Sequence, residues 1–376
     1  MKPLHAHVRR VVAIVFLVGS LATGHAQTLR LLGRTSLPHE MPVGKTKLGG
    51  LSGISYDPAT KSLWAVSDDS NNHGGAPRIY QITLQLGSKL ACAVRNVVIL
   101  RDKNGRPYSN ADCEGIAIAG RSTAWVSSEG KAGKNGAPPW LRLFSLSEGK
   151  LLREVPLPAV YLPADRQGAP VPIQSPAQVS GVLSNRALES CSLSPDHTTL
   201  YTANETSLMQ EKAPGESAGG AGIFNSTQVR IAAFSATNNR CLSEKLYVSD
   251  AGCFFGSISD VTPLDNQGNL LVLERRIVRL EKGTGCVGIR IYRVHFRQEN
   301  ATELERIQSV RGRGVTPLEK TLVYDSRRDG INDLDNIEGL ALMPLPNHRT
   351  GLVAVSDDNF GNDQQTQILL YELTKN

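Results

Sequence analysis

The apolar positions of this chain come in short bursts, not at helical spacing, and the bursts recur. The clearest is Asn336-Ile337-Glu338-Gly339-Leu340-Ala341-Leu342, followed after a gap with Pro344, Pro346 and Asn347 by Gly351-Leu352-Val353-Ala354-Val355-Ser356-Asp357-Asp358. Runs of small and apolar residues bounded by turn formers predict two antiparallel strands. Glu338 before the first strand and Asp357-Asp358 after the second then meet at one rim of a sheet. Four earlier passages repeat the phrase. Gly53-Ile54-Ser55-Tyr56 leads to Leu63-Trp64-Ala65-Val66-Ser67-Asp68-Asp69, and Cys113-Glu114-Gly115-Ile116 leads to Ala124-Trp125-Val126-Ser127-Ser128-Glu129. Leu188-Glu189-Ser190-Cys191 leads to Leu200-Tyr201-Thr202-Ala203-Asn204-Glu205, and Ile258-Ser259-Asp260-Val261 to Leu270-Leu271-Val272-Leu273-Glu274-Arg275-Arg276.

Copies roughly 60 to 80 residues apart mark a repeat architecture. A second strand pair follows each of the first four hairpins, for example 78–84 with 96–100, so each unit is a four-stranded blade. The expected fold is all-β, a β-propeller of five blades, with a sixth able to hide in the long connections; a β-sandwich with similar hairpins is the alternative. The last unit stops at its third strand, 367–373. Residues 29–37 can supply the missing fourth strand and close the ring, leaving no open edge.

Residues 1–26 read differently: Lys2, Arg9 and Arg10 form a basic head, an apolar run follows, and Gly24-His25-Ala26 is a small-x-small end. This is the pattern of a secretory signal peptide cleaved before Gln27, with the propeller domain occupying 27–376. The apolar run is too short for the ~20 residues of a spanning helix. The expected location is therefore the periplasm or the extracellular space, with no membrane span after cleavage.

Removing three of the 41 basic residues leaves 38 against 35 acidic ones. That balance, with no basic tract interleaved with aromatics, argues against a nucleic-acid partner. Six cysteines in an exported chain predict disulfides, with the sequential pairing Cys92–Cys113, Cys191–Cys241 and Cys253–Cys286 expected. No C-x-x-C spacing supports a metal site in their place.

In a blade the first strand lines the central channel, so the residues entering it and those leaving the second strand crowd one mouth. Here they are acidic: Asp68, Asp69, Asp112, Glu114, Glu129, Glu189, Glu205, Asp260, Glu274, Asp335, Glu338, Asp357 and Asp358. Gathered carboxylates raise one another's pKa unless cations intervene. Oxygen-rich clusters suit Ca²⁺, and the candidate ligands are Asp68, Asp69, Glu129, Glu189, Glu274, Asp357 and Asp358. Glu114 and Glu338 are candidate water-activating bases, with His73 beside Asp68-Asp69 as a further catalytic candidate. Arg78, Arg230 and Arg275 are candidate clamps for an anionic substrate.

Competing chemistries lack their signatures. There is no H-E-x-x-H and no G-x-x-x-x-G-K. One G-x-S-x-G string, Gly215 to Gly219, has no apolar strand leading into it, as a nucleophile elbow requires.

Leu51-Ser52-Gly53-Ile54, Ser67-Asp68-Asp69, Pro77-Arg78-Ile79-Tyr80, Asp112-Cys113-Glu114-Gly115-Ile116, Ser127-Ser128-Glu129, Leu193-Ser194-Pro195-Asp196, Val272-Leu273-Glu274-Arg275, Asn336-Ile337-Glu338-Gly339-Leu340 and Ser356-Asp357-Asp358-Asn359-Phe360 together resemble the phytase-like family described as having esterase-like activity. The third repeat departs from the pattern, with Ser190 where a glycine usually follows the glutamate. The resemblance implies an exported hydrolase of esters or phosphate monoesters; a small-molecule substrate and a monomeric state are expected with it. The alternative is a non-catalytic propeller that binds a protein or glycan in the envelope.

Overall fold

The computed structural model describes residues 27–133, 136–212, 226–252, 255–280 and 283–375, and not the side chains of 27, 255, 277–280, 283–287 and 375. Residues 1–26, read above as a signal peptide, and the Gly215–Gly219 string lie outside the described residues. So do Cys253 and the side chain of Cys286.

The chain opens with β1 (Gln27–Leu37) and a short hairpin of β2 (Pro42–Val43) and β3 (Thr46–Lys47). Five four-stranded antiparallel sheets account for the rest. Blade 1 holds β4 (Leu51–Asp57), β5 (Ser62–Ser67), β6 (Arg78–Leu86) and β7 (Leu90–Ile99). Blade 2 holds β8 (Cys113–Ile118), β9 (Thr123–Ser128), β10 (Trp140–Ser145) and β11 (Leu151–Val155). Blade 3 holds β12 (Ser192–Leu193), β13 (Thr199–Ala203), β14 (Gln228–Ser235) and β15 (Cys241–Val248). Blade 4 holds β16 (Phe255–Pro263), β17 (Asn269–Leu280), β18 (Gly283–His295) and β19 (Lys320–Asp325). Blade 5 holds β20 (Asn336–Leu345), β21 (Arg349–Asp357) and β22 (Thr366–Lys375), and its fourth strand is β1, paired antiparallel to β22 from Gln27 opposite Lys375 to Leu37 opposite Thr366. The five sheets stand in a ring as a β-propeller, and the described residues include no α-helix.

Period-2 side-chain alternation explains why the second strands read as unbroken apolar runs. A strand buried on both faces has no solvent side to mark with polar residues. Leu63 and Ala65 pack toward blade 5, while Trp64 and Val66 pack toward blade 2. Likewise Leu271 and Leu273 meet blade 5, and Leu270 and Val272 meet blade 3. A separate apolar cluster fills every junction, including the one between blades 5 and 1.

Two of the three cysteine pairings expected from sequence are corrected here: Cys92, Cys113, Cys191 and Cys241 are free thiols. Cys92 and Cys113 belong to different blades, on the outermost strand of blade 1 and the innermost strand of blade 2; in blade 3, Cys191 immediately precedes the innermost strand, β12, whereas Cys241 lies on the outermost, β15. Inner and outer strands of a blade are three spacings of about 4.8 Å apart, beyond the roughly 7 Å that a disulfide spans between Cα atoms. Closeness in sequence within a blade is not closeness across it.

Candidate functional site

Each innermost strand enters its blade through a β-bulge, one residue too many against its partner. Leu51 pairs with Ser67 and Gly53 with Val66, which leaves Ser52 extra. Ile258 pairs with Glu274 and Asp260 with Leu273, which leaves Ser259 extra. Ile337 pairs with Ser356 and Gly339 with Val355, which leaves Glu338 extra. In blade 2 the shift falls between Cys113 and Ile116, at Glu114-Gly115. In blade 3, Leu188 bridges Asn204 and Ser192 pairs with Tyr201, so three residues beginning with Glu189 face two. The bulge positions are thus Ser52, Glu114, Glu189, Ser259 and Glu338, one per blade.

A second set is the residue that follows, on each second strand, the partner of the residue before the bulge: Asp68, Glu129, Glu205, Arg275 and Asp357. Together with Asp112, these two sets form one electrostatic unit. Arg275 reaches Glu338 and, through Nη2, Glu205 Oε1 at 2.6 Å, and its Nη1 donates to Asn336 Oδ1 at 2.8 Å. Arg186 Nη1 meets the other Glu205 oxygen at 3.1 Å. Glu129 Oε1 accepts from the Ala187 amide at 2.6 Å, and the Glu189 carboxyl lies beside it. Asp112, Glu114 and Glu129 bring ligand oxygens within 4.8 Å of one another, and so do Glu129, Glu189 and Glu205.

Burial raises the carboxyls of Asp68, Glu114, Glu189 and Asp357 well above the ordinary range, and the charge of neighbouring acids raises them further. Burial, then Glu205 and Asp112, push Glu129 up to about 8. Asp112 rises to about 6 through burial, against the pull of Lys131. Burial raises Glu338 too, against the pull of Arg275. Eight carboxyls therefore face one central guanidinium, with Lys131 and Arg186 at the edge. An unneutralised group of this kind either takes up protons or binds a cation. Its donors are all oxygens, the set that suits a hard cation such as Ca²⁺, which takes six to eight oxygens at about 2.3 to 2.6 Å. Two buried hydroxyls of the bulge set, Ser52 Oγ and Ser259 Oγ, have no hydrogen-bond partner among the described residues, so the residues present fit such an ion.

The adjacent acids of the repeat point elsewhere, as alternation along an extended chain requires. Asp69 accepts from the amides of Asn72, His73 and Gly74 and pairs with Arg78 at 2.9 Å. Asp358 accepts from the Gly50 and Phe360 amides and meets His39. Glu274 accepts from Tyr247 and Lys320. Asp260 takes the amides of Val261 and Leu340, bridging blades 4 and 5. Asp335 takes the Gln365 amide.

Of the three arginines, only Arg275 belongs to the central group. Arg78 is fully buried and donates to Tyr80, Asp69 and the carbonyls of Lys47, Gly75 and Ala76. Arg230, equally buried, holds Glu211 and the carbonyls of Leu304 and Ile307. His73 stands exposed at the rim, stacked on Phe360 with centroids 4.9 Å apart. At the far end of the inner strands the channel is largely apolar: a cavity of about 310 Å³ is lined by residues including Tyr56, Ile118, Leu193, Pro263 and Leu342.

No match is found among curated protein sequences. Several solved structures align over most of the chain. A member of the duf4221 family from Bacteroides vulgatus is 6% identical with TM-score 0.42, covering 94% of this chain and 100% of that one. MPT-4, a mannose phosphorylase from Leishmania mexicana in complex with phosphate ion, is 6% identical with TM-score 0.40, covering 91% and 88%. A calcium structure of a family AA12 carbohydrate-active enzyme from Trichoderma reesei is 10% identical with TM-score 0.33, covering 94% and 96%. Likenesses at these values carry no argument about this chain. The sequence itself is matched over residues 46–360, which takes in blades 1 to 4, the first two strands of blade 5 and both sets of axial residues. On that span the chain belongs to the phytase-like family, described as esterase-like activity of phytase.

Proposed function

We propose that the protein is an exported, monomeric hydrolase of esters or phosphate monoesters that works with a bound Ca²⁺ ion at the acidic mouth of the propeller. The observation that carries this reading is the gathering of eight carboxyls around Arg275 in a chain of this family.

Asp112, Glu114, Glu129, Glu189 and Glu205 are the groups that would hold the ion. When bound, Ca²⁺ would neutralise them and polarise an ester or phosphoryl oxygen, favouring charge developing on it. Arg275 touches Glu338 and favours its ionised form, so a Glu338 oxygen can take a proton from an attacking water. Asp68 and Asp357 hold their protons through burial and can return one to the leaving oxygen. Lys131 at the rim adds positive charge for an approaching anion.

Purified protein assayed on nitrophenyl acetate, nitrophenyl phosphate and phytate, with Ca²⁺ and with chelator, tests the reading. The expected result is turnover on at least one substrate that chelation removes, and a loss of about 10²-fold or more in kcat for Glu338→Gln. No turnover on any of them, together with melting indifferent to chelator, contradicts it and favours a non-catalytic binding protein.

A further inference from the structure

The bulge set holds three glutamates and two serines. Ser52 and Ser259 occupy, by register, the positions of Glu114, Glu189 and Glu338, with side chains 3% and 2% exposed. A buried hydroxyl ordinarily finds a partner. The Ser52 hydroxyl lies beside the Glu338 carboxylate but reaches no partner at hydrogen-bonding geometry, and the Ser259 hydroxyl has none among the described residues. Ser190 shows the contrast one residue along in blade 3: its Oγ accepts the Ala203 amide at 2.9 Å. Thr206 and Thr366 also carry buried hydroxyls without a partner, but neither stands at a bulge; at the bulge positions, both places where an acid is replaced leave the hydroxyl unpaired.

We infer that Ser52 and Ser259 are neutral ligands of the axial cation, each contributing its Oγ to the oxygen shell that Glu114 and Glu189 supply from the same bulge set. This rests on the cation reading above. Five glutamates in one ring would add two more buried negative charges to a group already short of cations. Serine at two places keeps an oxygen donor without the charge, as a hard cation with a large, flexible shell permits. A hydroxyl unpaired in the empty protein and paired in the loaded one also makes the two states respond oppositely to its removal.

The test compares Ser52→Ala, Ser259→Ala and, as control, Ser190→Ala, using calorimetric Ca²⁺ titration and melting in chelator. For Ser52→Ala and Ser259→Ala the expected result is melting in chelator equal to or above that of the parent, with Kd for Ca²⁺ raised about tenfold or more, the scale of losing a supporting group around a metal. Ser190→Ala should melt lower in chelator and keep the parental Kd. Parental Ca²⁺ affinity in both bulge variants overturns this inference and leaves the cation reading standing. Absence of Ca²⁺ binding by the parent chain overturns both.

Discussion

At Gly115 the spacing of neighbouring blades is set by the lack of a side chain: a Cβ there would lie 2.2 Å from the Cys191 amide nitrogen of blade 3. Gly53 stands in the same relation to the Glu114 carbonyl, at 2.4 Å, and Gly339 to the Ile54 amide, at 2.9 Å. The glycine that follows the bulge residue lets the inner strands of adjacent blades touch backbone to backbone. Gly115→Ala should therefore destabilise by at least the ~1–3 kcal/mol of ordinary overpacking, measured by urea denaturation, because backbone cannot swing aside as a side chain can. Where Ser190 and Asp260 replace that glycine, their side chains are tied to backbone amides instead. The glycines and the acids before them were visible in the sequence as repeats. Which acid of Asp68-Asp69 or Asp357-Asp358 faces the axis was not, because consecutive strand residues carry the same chemistry to opposite sides. Aligning the repeats column by column would have put Arg275, not Glu274, opposite Asp68 and Asp357. It would also have singled out Ser52 and Ser259, which no residue-type search for ligands or nucleophiles selects.

Between elements, two contacts are open to direct test. β1 hydrogen-bonds to β22 along nearly its whole length, and Leu29 and Leu37 are buried against different neighbours, in the 4/5 and 5/1 junctions. Deleting residues 27–37 should abolish cooperative unfolding or lower the melting temperature of the entire protein; unchanged melting would remove β1 from the account. The second contact is Asp250, after β15, which meets Lys320 Nζ at 2.7 Å, Arg290 Nη1 at 2.6 Å and the Tyr292 hydroxyl. Burial alone would raise its pKa, but hydrogen bonds from Lys320 and Tyr292, with Arg290, bring it down to about 2. An unfolded aspartate titrates near 3.9, so the stabilisation is complete above about pH 4 and disappears as pH falls through about 2. Urea midpoints should accordingly drop less between pH 4 and pH 2 in Asp250→Asn than in the parent, and an equal drop would contradict the assignment. This cluster was illegible from sequence because its members come from two strands and a loop with no shared motif. The strands themselves were legible, since unbroken apolar runs such as Leu270 to Leu273 leave little else to be.

For the molecule as a whole, the five-fold repetition of a hairpin decides where charge accumulates. Sequence gave the number of blades and the end of the axis at which the acids gather, because both follow from counting and from strand direction. Which side chains share contacts depends on bulges that shift register by one residue, and that is a three-dimensional fact. The central claim is that this end of the axis holds a hard cation among buried carboxyls, and anomalous diffraction from crystals soaked with terbium in place of calcium tests it most directly. The account predicts a peak on the axis within bonding distance of oxygens from Glu114, Glu129 and Glu189; peaks confined to surface carboxylates, or none at all, would contradict it.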